Sequence, residues 1–527
     1  MKRLTGLDST FLSVETSAMH MHVASTLIYD PSGIPGGLTF ERVRDLVAAR
    51  LDRLPPFRRR LVEIPFQLHH PLWIEDPAFD LDYHLRRACL PHPGGYDELV
   101  RFAGDVMGRR LDRSKPLWEM YVVEGLAGGM VGVITKVHHA AVDGVAGAEL
   151  TVNLLDLTPD PEPLPPPEKE WRPDRIPSDA ELVSYALSSL ALHPQAIVES
   201  VRRTTEAALG IRRRNREEGV VAPPSLFDAP RTSLNATITP HRLVAFTDVD
   251  LDEVKLVRRA FGAKVNDVVL ALCSGALRHY LSERGEDVTQ PLVAMVPISV
   301  RSDGESGSGG NRVSGMLTTL ASHLEDPVER LAAITDGSKQ AKNQDQVLGP
   351  DVLAGWAEFA APAVAMRAVR WVSNLRIADL VRPPFNVTIS NVPGPDFPLY
   401  FAGAELQRFY PMGPIADAGG LNMTVMSYRG RVYFGLVACR ETVPGVDAIA
   451  RYIPLALAQL VTAARTVNEP VHAGSAQRRA KDKTKAAPRN KPKVAPRNKT
   501  KAAPKAKTGG RATSGSKLKT GGQRSVN

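Results

Sequence analysis

The sequence has few cysteines, and the three present, Cys89, Cys273 and Cys439, lie far apart. An odd number at such separations supports neither a disulfide framework nor a zinc site of the CxxC type, and it suits a reducing cytosol. Long apolar runs are missing as well. No stretch approaches the roughly 18 uncharged apolar residues that a membrane-spanning helix needs. The first residues, MKRLTGLDSTFLSVE, carry two basic side chains but no apolar core and no small-residue cleavage site, so no secretory signal is predicted. Collagen-like and disulfide-scaffold classes are excluded by a composition of 43% hydrophobic and 23% charged residues. The 527 residues suffice for two large domains or one bilobal unit, either soluble or lying on a surface.

Charge is present in excess but unevenly. The net +9 comes from residues 474–527, where 17 Lys and Arg face the single acid Asp482. The first 473 residues hold 49 basic and 56 acidic side chains, a balance of −7. The basic segment repeats with a period of eight: APRNKPKV (487–494), APRNKTKA (495–502), then APKAKTGG (503–510). Lys, Pro and Gly with so few apolar residues bury too little surface to offset the entropy of ordering, which predicts a disordered tail over 468–527.

The rest divides by composition. Residues 1–157 mix strand-like and helix-like segments. His22 to Tyr29 reads as a strand, and Thr39 to Leu51 as a helix with Thr39 as N-cap. Tyr121–Val123 and Val131–His138 flank GLAGG (125–129), the pattern of a hairpin. Residues 158–178, TPDPEPLPPPEKEWRPDRIPS, are a linker by composition, and helical patterns follow, so that 158–240 forms a connecting segment. A second mixed α/β stretch spans 241–467. Its strand candidates are Arg242–Val249, Pro291–Val300, Asn386–Ser390, Leu421–Tyr428 and Arg431–Cys439, with a helix over Lys264–Tyr280.

The most informative run is ITKVHHAAVDGVAG (134–147), where a strand candidate ends in His138–His139 and Asp143 and Gly144 precede a helix. A neutral imidazole at a strand end suits proton abstraction from a hydroxyl, because its ordinary pKa lies near neutrality. Asp143, near a helix N-cap, is placed to accept backbone N–H bonds and to pair with a cation. A His–His pair serves structure as readily as chemistry. Zinc needs a third ligand or HExxH spacing, and neither is present; the Ser-rich GESGSGGNR (304–312) contains no GxSxG nucleophile elbow. On the residues alone, Asn266 reads as a helix cap.

HHAAVDG resembles the HHxxxDG motif of the CoA-dependent acyltransferase superfamily, which includes chloramphenicol acetyltransferases and peptide-synthetase condensation domains. Further segments are similar to the bacterial wax ester synthase/diacylglycerol acyltransferase family of actinobacterial type: LTGLDSTFLSVET (4–16), PPFRRRL (55–61), PLWE (116–119), NDVVLALCSGALRHYL (266–281), VPISVR (296–301), GNRVSGM (310–316), SNVPGP (390–395) and GLNMTVMSYRGRVYFGLVACRE (420–441). The similarity runs in order from Leu4 to about Val467 and leaves out the tail.

The resemblance implies an α/β fold of two chloramphenicol-acetyltransferase-like lobes, each a mixed sheet flanked by helices, with the active site in a channel between them. It implies that His139 is the general base and His138 its support, that Asp143 pairs structurally with an arginine, for which Arg301 is the candidate, and that Gly144 supports the same turn. Asn266 becomes the oxyanion donor, with Asp267 supporting the helix start. Trp118 is expected as a packing anchor, Glu119 as a buried hydrogen-bond partner, and Gly394 as part of a rigid turn. The substrates implied are acyl-CoA and a lipid alcohol, either diacylglycerol or a long-chain alcohol, with no cofactor and no metal. The expected location is cytoplasmic, peripheral to the inner membrane or to lipid inclusions. Residues 355–375 and 200–214 read equally as interfacial helices or as ordinary core-facing ones. The tail suits anionic lipid or nucleic acid. Two other readings stay open: a condensation-type or polyketide-associated acyltransferase using carrier-bound acyl groups, and a non-catalytic lipid-surface or nucleic-acid-binding protein.

Overall fold

The computed structural model describes residues 2–4, 6–141, 153–162, 165, 171–192, 229–299, 313–345 and 379–468. The first half contributes strands β1 (Lys2–Arg3), β2 (His22–Asp30), β3 (Arg59–Val62), β4 (Leu72–Glu75), β5 (Leu85–Cys89), β6 (Trp118–Glu124) and β7 (Val131–His138). The second contributes β8 (Arg242–Asp250), β9 (Val293–Ser299), β10 (Val313–Thr319), β11 (Val387–Val392), β12 (Tyr400–Phe401), β13 (Ala404–Met412), β14 (Leu421–Tyr428) and β15 (Arg431–Cys439). They form two six-stranded sheets, β12-β13-β2-β7-β6-β5 and β10-β9-β11-β14-β15-β8, with a small sheet β1-β4-β3. Both large sheets are mixed: β5 runs parallel to β6, and β11 parallel to β9 and β14, while the other pairs are antiparallel.

Local chemistry accounts for several elements. Thr39 caps the helix Phe40–Arg50 by accepting the Arg42 N–H at 3.2 Å. Gly125, Gly128 and Gly129 take positive φ between β6 and β7, closing the expected hairpin. The helix Val265–Glu283 is buried on nearly every side from Val268 to Cys273, so it forms the spine of the second core. Beside it lies Val446–Asn468, a helix long and apolar enough by composition to cross a membrane, yet its Ile449, Ile453, Leu457 and Leu460 are buried in that core.

Two features of the organisation rest on long-range pairing that composition does not show. The second lobe is not self-contained, because β12 and β13 belong to the first sheet, where β13 pairs antiparallel with β2 and places Phe409 opposite Leu27. The end of β13 is buried on both faces, with Tyr410 stacked on Phe246 of β8 at 4.5 Å. A Cβ at Gly435 would lie 1.7 Å from the Pro411 carbonyl, so β13 crosses β15 where only glycine fits. The Pro-rich connection is also no free linker where it is described: Trp171 Nε1 donates to Glu75 at 2.9 Å, and the Asp174 N–H donates to the Glu75 carbonyl at 3.0 Å. The expected helix over 144–157 is described only from Asn153, and the segments 200–214 and 355–375 and the tail lie outside the described residues.

Candidate active site

The site grows out of the last residues of β7. His138 stands opposite His22 in register, and its N–H donates to the Leu117 carbonyl at 2.9 Å. One residue on, the His139 N–H donates to the Met21 carbonyl at 2.7 Å, and the chain turns through the 3-10 segment His139–Ala141. The loop that supplies Met21 is fastened to the second sheet by Arg242 of β8, which donates to the Ala18 carbonyl.

The two imidazoles have separate surroundings. His138 is fully buried, and its Nδ1 accepts the Ala140 N–H at 3.0 Å. Its proton therefore sits on Nε2, which faces Glu15 Oε2 at 3.6 Å. Burial pushes the His138 pKa down, against the opposing pull of Glu15. For Glu15 burial works upward, but His138 and the Arg113 guanidinium override it and hold the carboxyl well below the usual range. His139 is only partly buried and stacks on Phe11 with centroids 4.0 Å apart and 25° between planes. Burial of the ring lowers its pKa to about 4, opposed by its own backbone carbonyl, which favours a proton on the ring. Nδ1 is enclosed and has no hydrogen-bond partner on another residue among the described residues. A neutral ring with Nδ1 turned inward leaves Nε2 to accept a proton.

On the second half, Asp267 Oδ2 accepts the Lys264 N–H at 2.9 Å and closes the start of the helix Val265–Glu283. Asn266, one residue earlier, accepts from Asn391 Nδ2 at 3.3 Å through its Oδ1. That bond occupies the carbonyl end and leaves the amide nitrogen as a donor. Asn391 lies on β11 within SNVPGP, a run noted for its turn and not for this amide. Gly394 in the same run fits no side chain, since a Cβ there would lie 2.1 Å from the Ser427 carbonyl.

Behind β7, Trp118 is buried between Phe57 (4.1 Å) and His84 (4.7 Å), and its Nε1 donates to the Phe57 carbonyl at 2.8 Å. Glu119 accepts from Tyr121 at 3.0 Å and also pairs with Lys136 at 3.0 Å, an ion pair that sequence reasoning missed. Asp143, Gly144 and Arg301 lie outside the described residues, and so does the pairing expected between Asp143 and Arg301. Among the described residues, no group of three or more His, Cys, Asp or Glu has the geometry of a metal site.

Two mixed sheets sharing a crossover strand, with the histidine pair at the end of a central strand, define the two-lobed fold of CoA-dependent acyltransferases and condensation domains. A wax ester synthase/diacylglycerol acyltransferase from Marinobacter aquaeolei VT8 superposes with a TM-score of 0.61 at 30% identity, covering 88% of this chain and 100% of that one. The first condensation domain of the calcium-dependent antibiotic synthetase shares the fold, with a TM-score of 0.51 at 15% identity over 89% and 99%. Residues 4–269 match the wax ester synthase/diacylglycerol acyltransferase catalytic domain, and residues 309–461 its C-terminal domain. A Mycobacterium tuberculosis protein named as a diacylglycerol O-acyltransferase is 37% identical over 462 residues, 88% of this chain and 90% of its own length. Another from the same organism is 36% identical over 464 residues, 86% and 97%. The chain belongs to the wax ester synthase/diacylglycerol acyltransferase family, and it is an acyltransferase.

Proposed function

We propose that the protein transfers the acyl group of a fatty acyl-CoA to the hydroxyl of diacylglycerol, with long-chain alcohols as a second class of acceptor, and that His139 is the general base. The observation that carries this reading is the placement of the His139 ring at the end of β7, stacked on Phe11 with Nδ1 enclosed. The alcohol oxygen attacks the thioester carbon while its proton passes to His139 Nε2. The amide of Asn266 is the donor for the oxyanion that develops on the former carbonyl oxygen. When the tetrahedral intermediate collapses, the carbon–sulfur bond breaks and the proton moves from Nε2 to the departing CoA sulfur. Oxygen ester and free CoA are the products, without a covalent enzyme intermediate, because thioester to ester is downhill and the thiolate leaves readily. The named relatives support diacylglycerol as acceptor and the Marinobacter enzyme supports alcohols. The lipid acceptor supports an enzyme working at a membrane or lipid-inclusion surface, and we place it on the cytoplasmic side.

Purified enzyme with labelled palmitoyl-CoA, offered diolein and hexadecanol separately, tests the reading. His139→Ala is expected to abolish both reactions while the fold survives; activity retained toward either acceptor refutes the base. Transfer from an acyl carrier protein but not from acyl-CoA would favour the condensation-type alternative, to which the antibiotic-synthetase likeness lends only its fold. Tight binding of lipid or nucleic acid with no transfer at all would favour the non-catalytic one.

A further inference from the structure

The chemistry above leaves one buried carboxylate beside the histidines unused. Glu15 directly follows the helix Gly6–Val14 and is 4% exposed. Its Oε1 accepts from Arg110 Nε at 3.3 Å and its Oε2 from Arg113 Nε at 2.8 Å. Arg113 also donates to the Leu12 carbonyl at 2.7 Å, so the loop before β6 holds this carboxylate and the helix end together. Oε2 lies 3.6 Å from His138 Nε2, too long for a good hydrogen bond but close enough for its charge to favour a proton on that nitrogen. The other ring nitrogen must stay bare, because it accepts the Ala140 N–H. Both demands select the same neutral tautomer. His22, 5.8 Å away ring to ring, completes the surroundings on the strand side.

Ala140 belongs to the turn that begins at His139, so the His138 tautomer governs how that turn is held. Phe11, one turn before Glu15 in the sequence, covers a face of the His139 ring. One short segment therefore touches both histidines, by charge at one and by stacking at the other.

We propose that Phe11 and Glu15 are positioning residues for the acyl transfer: Glu15 acts through His138 and the Ala140 amide, and Phe11 through the His139 ring. The inference rests on His139 being the base.

The full chain tests it. Ring-15N-labelled histidine spectra of the unaltered enzyme, assigned with His138→Asn, are expected to show His138 protonated at Nε2 and bare at Nδ1 at neutral pH; the opposite tautomer overturns the Glu15 part. Glu15→Gln and Phe11→Leu are each expected to lower kcat about ten- to hundredfold, as misplaced catalytic groups do. KM for palmitoyl-CoA and diolein should stay within about twofold, since ground-state binding is untouched. Added to His138→Asn, Glu15→Gln should cause no further loss, whereas the Phe11→Leu loss should multiply. Unaltered kcat in either variant, or full additivity for Glu15 with His138, overturns the proposal. If Glu15→Gln fails to fold with Arg113 uncompensated, Glu15→Gln combined with Arg113→Gln takes its place under the same criteria. His139→Ala runs beside them: activity there sinks the base assignment itself, while an inactive His139→Ala with fully active Glu15→Gln and Phe11→Leu sinks only the positioning role.

Discussion

Lys136 and Glu119 stand directly opposite each other on β7 and β6, with Nζ and Oε2 3.0 Å apart and the ammonium sealed from solvent. Lys136 also donates to the Val106 and Arg109 carbonyls at 3.1 Å each, so the strand that ends at His138 is tied to the helix Tyr96–Met107 and the loop after it. Removing one partner strands a buried charge, which costs about 3–5 kcal/mol. Glu119→Leu or Lys136→Met alone should therefore destabilise strongly, and the double variant should recover most of the loss. Denaturant unfolding of the three variants checks this. A double variant whose loss equals the sum of the two single losses would mean that the pair carries no net coupling.

Asn391 donates to the Asn266 carbonyl, and the proposed mechanism gives the Asn266 amide nitrogen a separate job. If Asn266 donates to the oxyanion, Asn266→Ala should lower kcat about 100- to 1,000-fold, the usual consequence of losing one such donor. Asn391→Ala removes only the group that fixes the orientation of the Asn266 carbonyl. Its loss should be smaller, and it should vanish in the Asn266→Ala background. Single-turnover rates with saturating acyl-CoA measure both. A larger effect at Asn391 than at Asn266 would reverse the two roles.

Acid should stop the reaction later than an ordinary histidine predicts. The His139 pKa is lowered from 6.5 to about 4, so the ring remains a base well below neutrality, and kcat/KM should keep its plateau until the pH nears the lower value. The same shift bears on stability. The folded ring binds its proton less readily than the unfolded one, so its contribution is complete above pH 6.5 and is lost as the pH falls from 6.5 towards 4. His20, His22 and His138 are lowered in the same direction by burial and add to the effect. His139→Gln should reduce the acid sensitivity of the unfolding midpoint across that window without abolishing it. A pH–rate profile and thermal unfolding at several pH values check the two halves independently.

Legibility in the sequence followed the range of the interactions. Strands β14 and β15 are readable to the residue, because the alternation in β14, the apolar run of β15 and the intervening Arg429–Gly430 turn are local signals. Thr39 was readable as a cap for the same reason. The transfer of β13 to the other lobe's sheet was not, since alternation says that a segment is a strand but not which strand it pairs with. Within the site, the motif located His138 and His139, whereas Glu15, Phe11 and Asn391 became visible only once folding brought 11–15 to 138–140 and 391 to 266. Glu15 and Phe11 lie within LTGLDSTFLSVET, but nothing local marks a carboxylate as the partner of a histidine more than a hundred residues away.

The basic segment 474–527 provides a test independent of the site. It begins a few residues after the helix Val446–Asn468, and its 17 Lys and Arg against one acid reverse the sign of a chain whose remainder is at −7. Polyanion binding by such a segment is driven by counterion release and weakens steeply with salt, and each basic residue near an anionic bilayer contributes about 1 kcal/mol. Deleting 474–527 should leave turnover on detergent-dispersed diolein intact, because every residue assigned to the chemistry precedes it. The same deletion should weaken sedimentation with phosphatidylserine-containing vesicles at low salt, and the difference between the two forms should shrink as ionic strength rises. If both forms bind the vesicles equally at low salt, the tail has no part in holding the enzyme at its lipid substrate. If the difference appears with DNA but not with vesicles, nucleic acid is its partner.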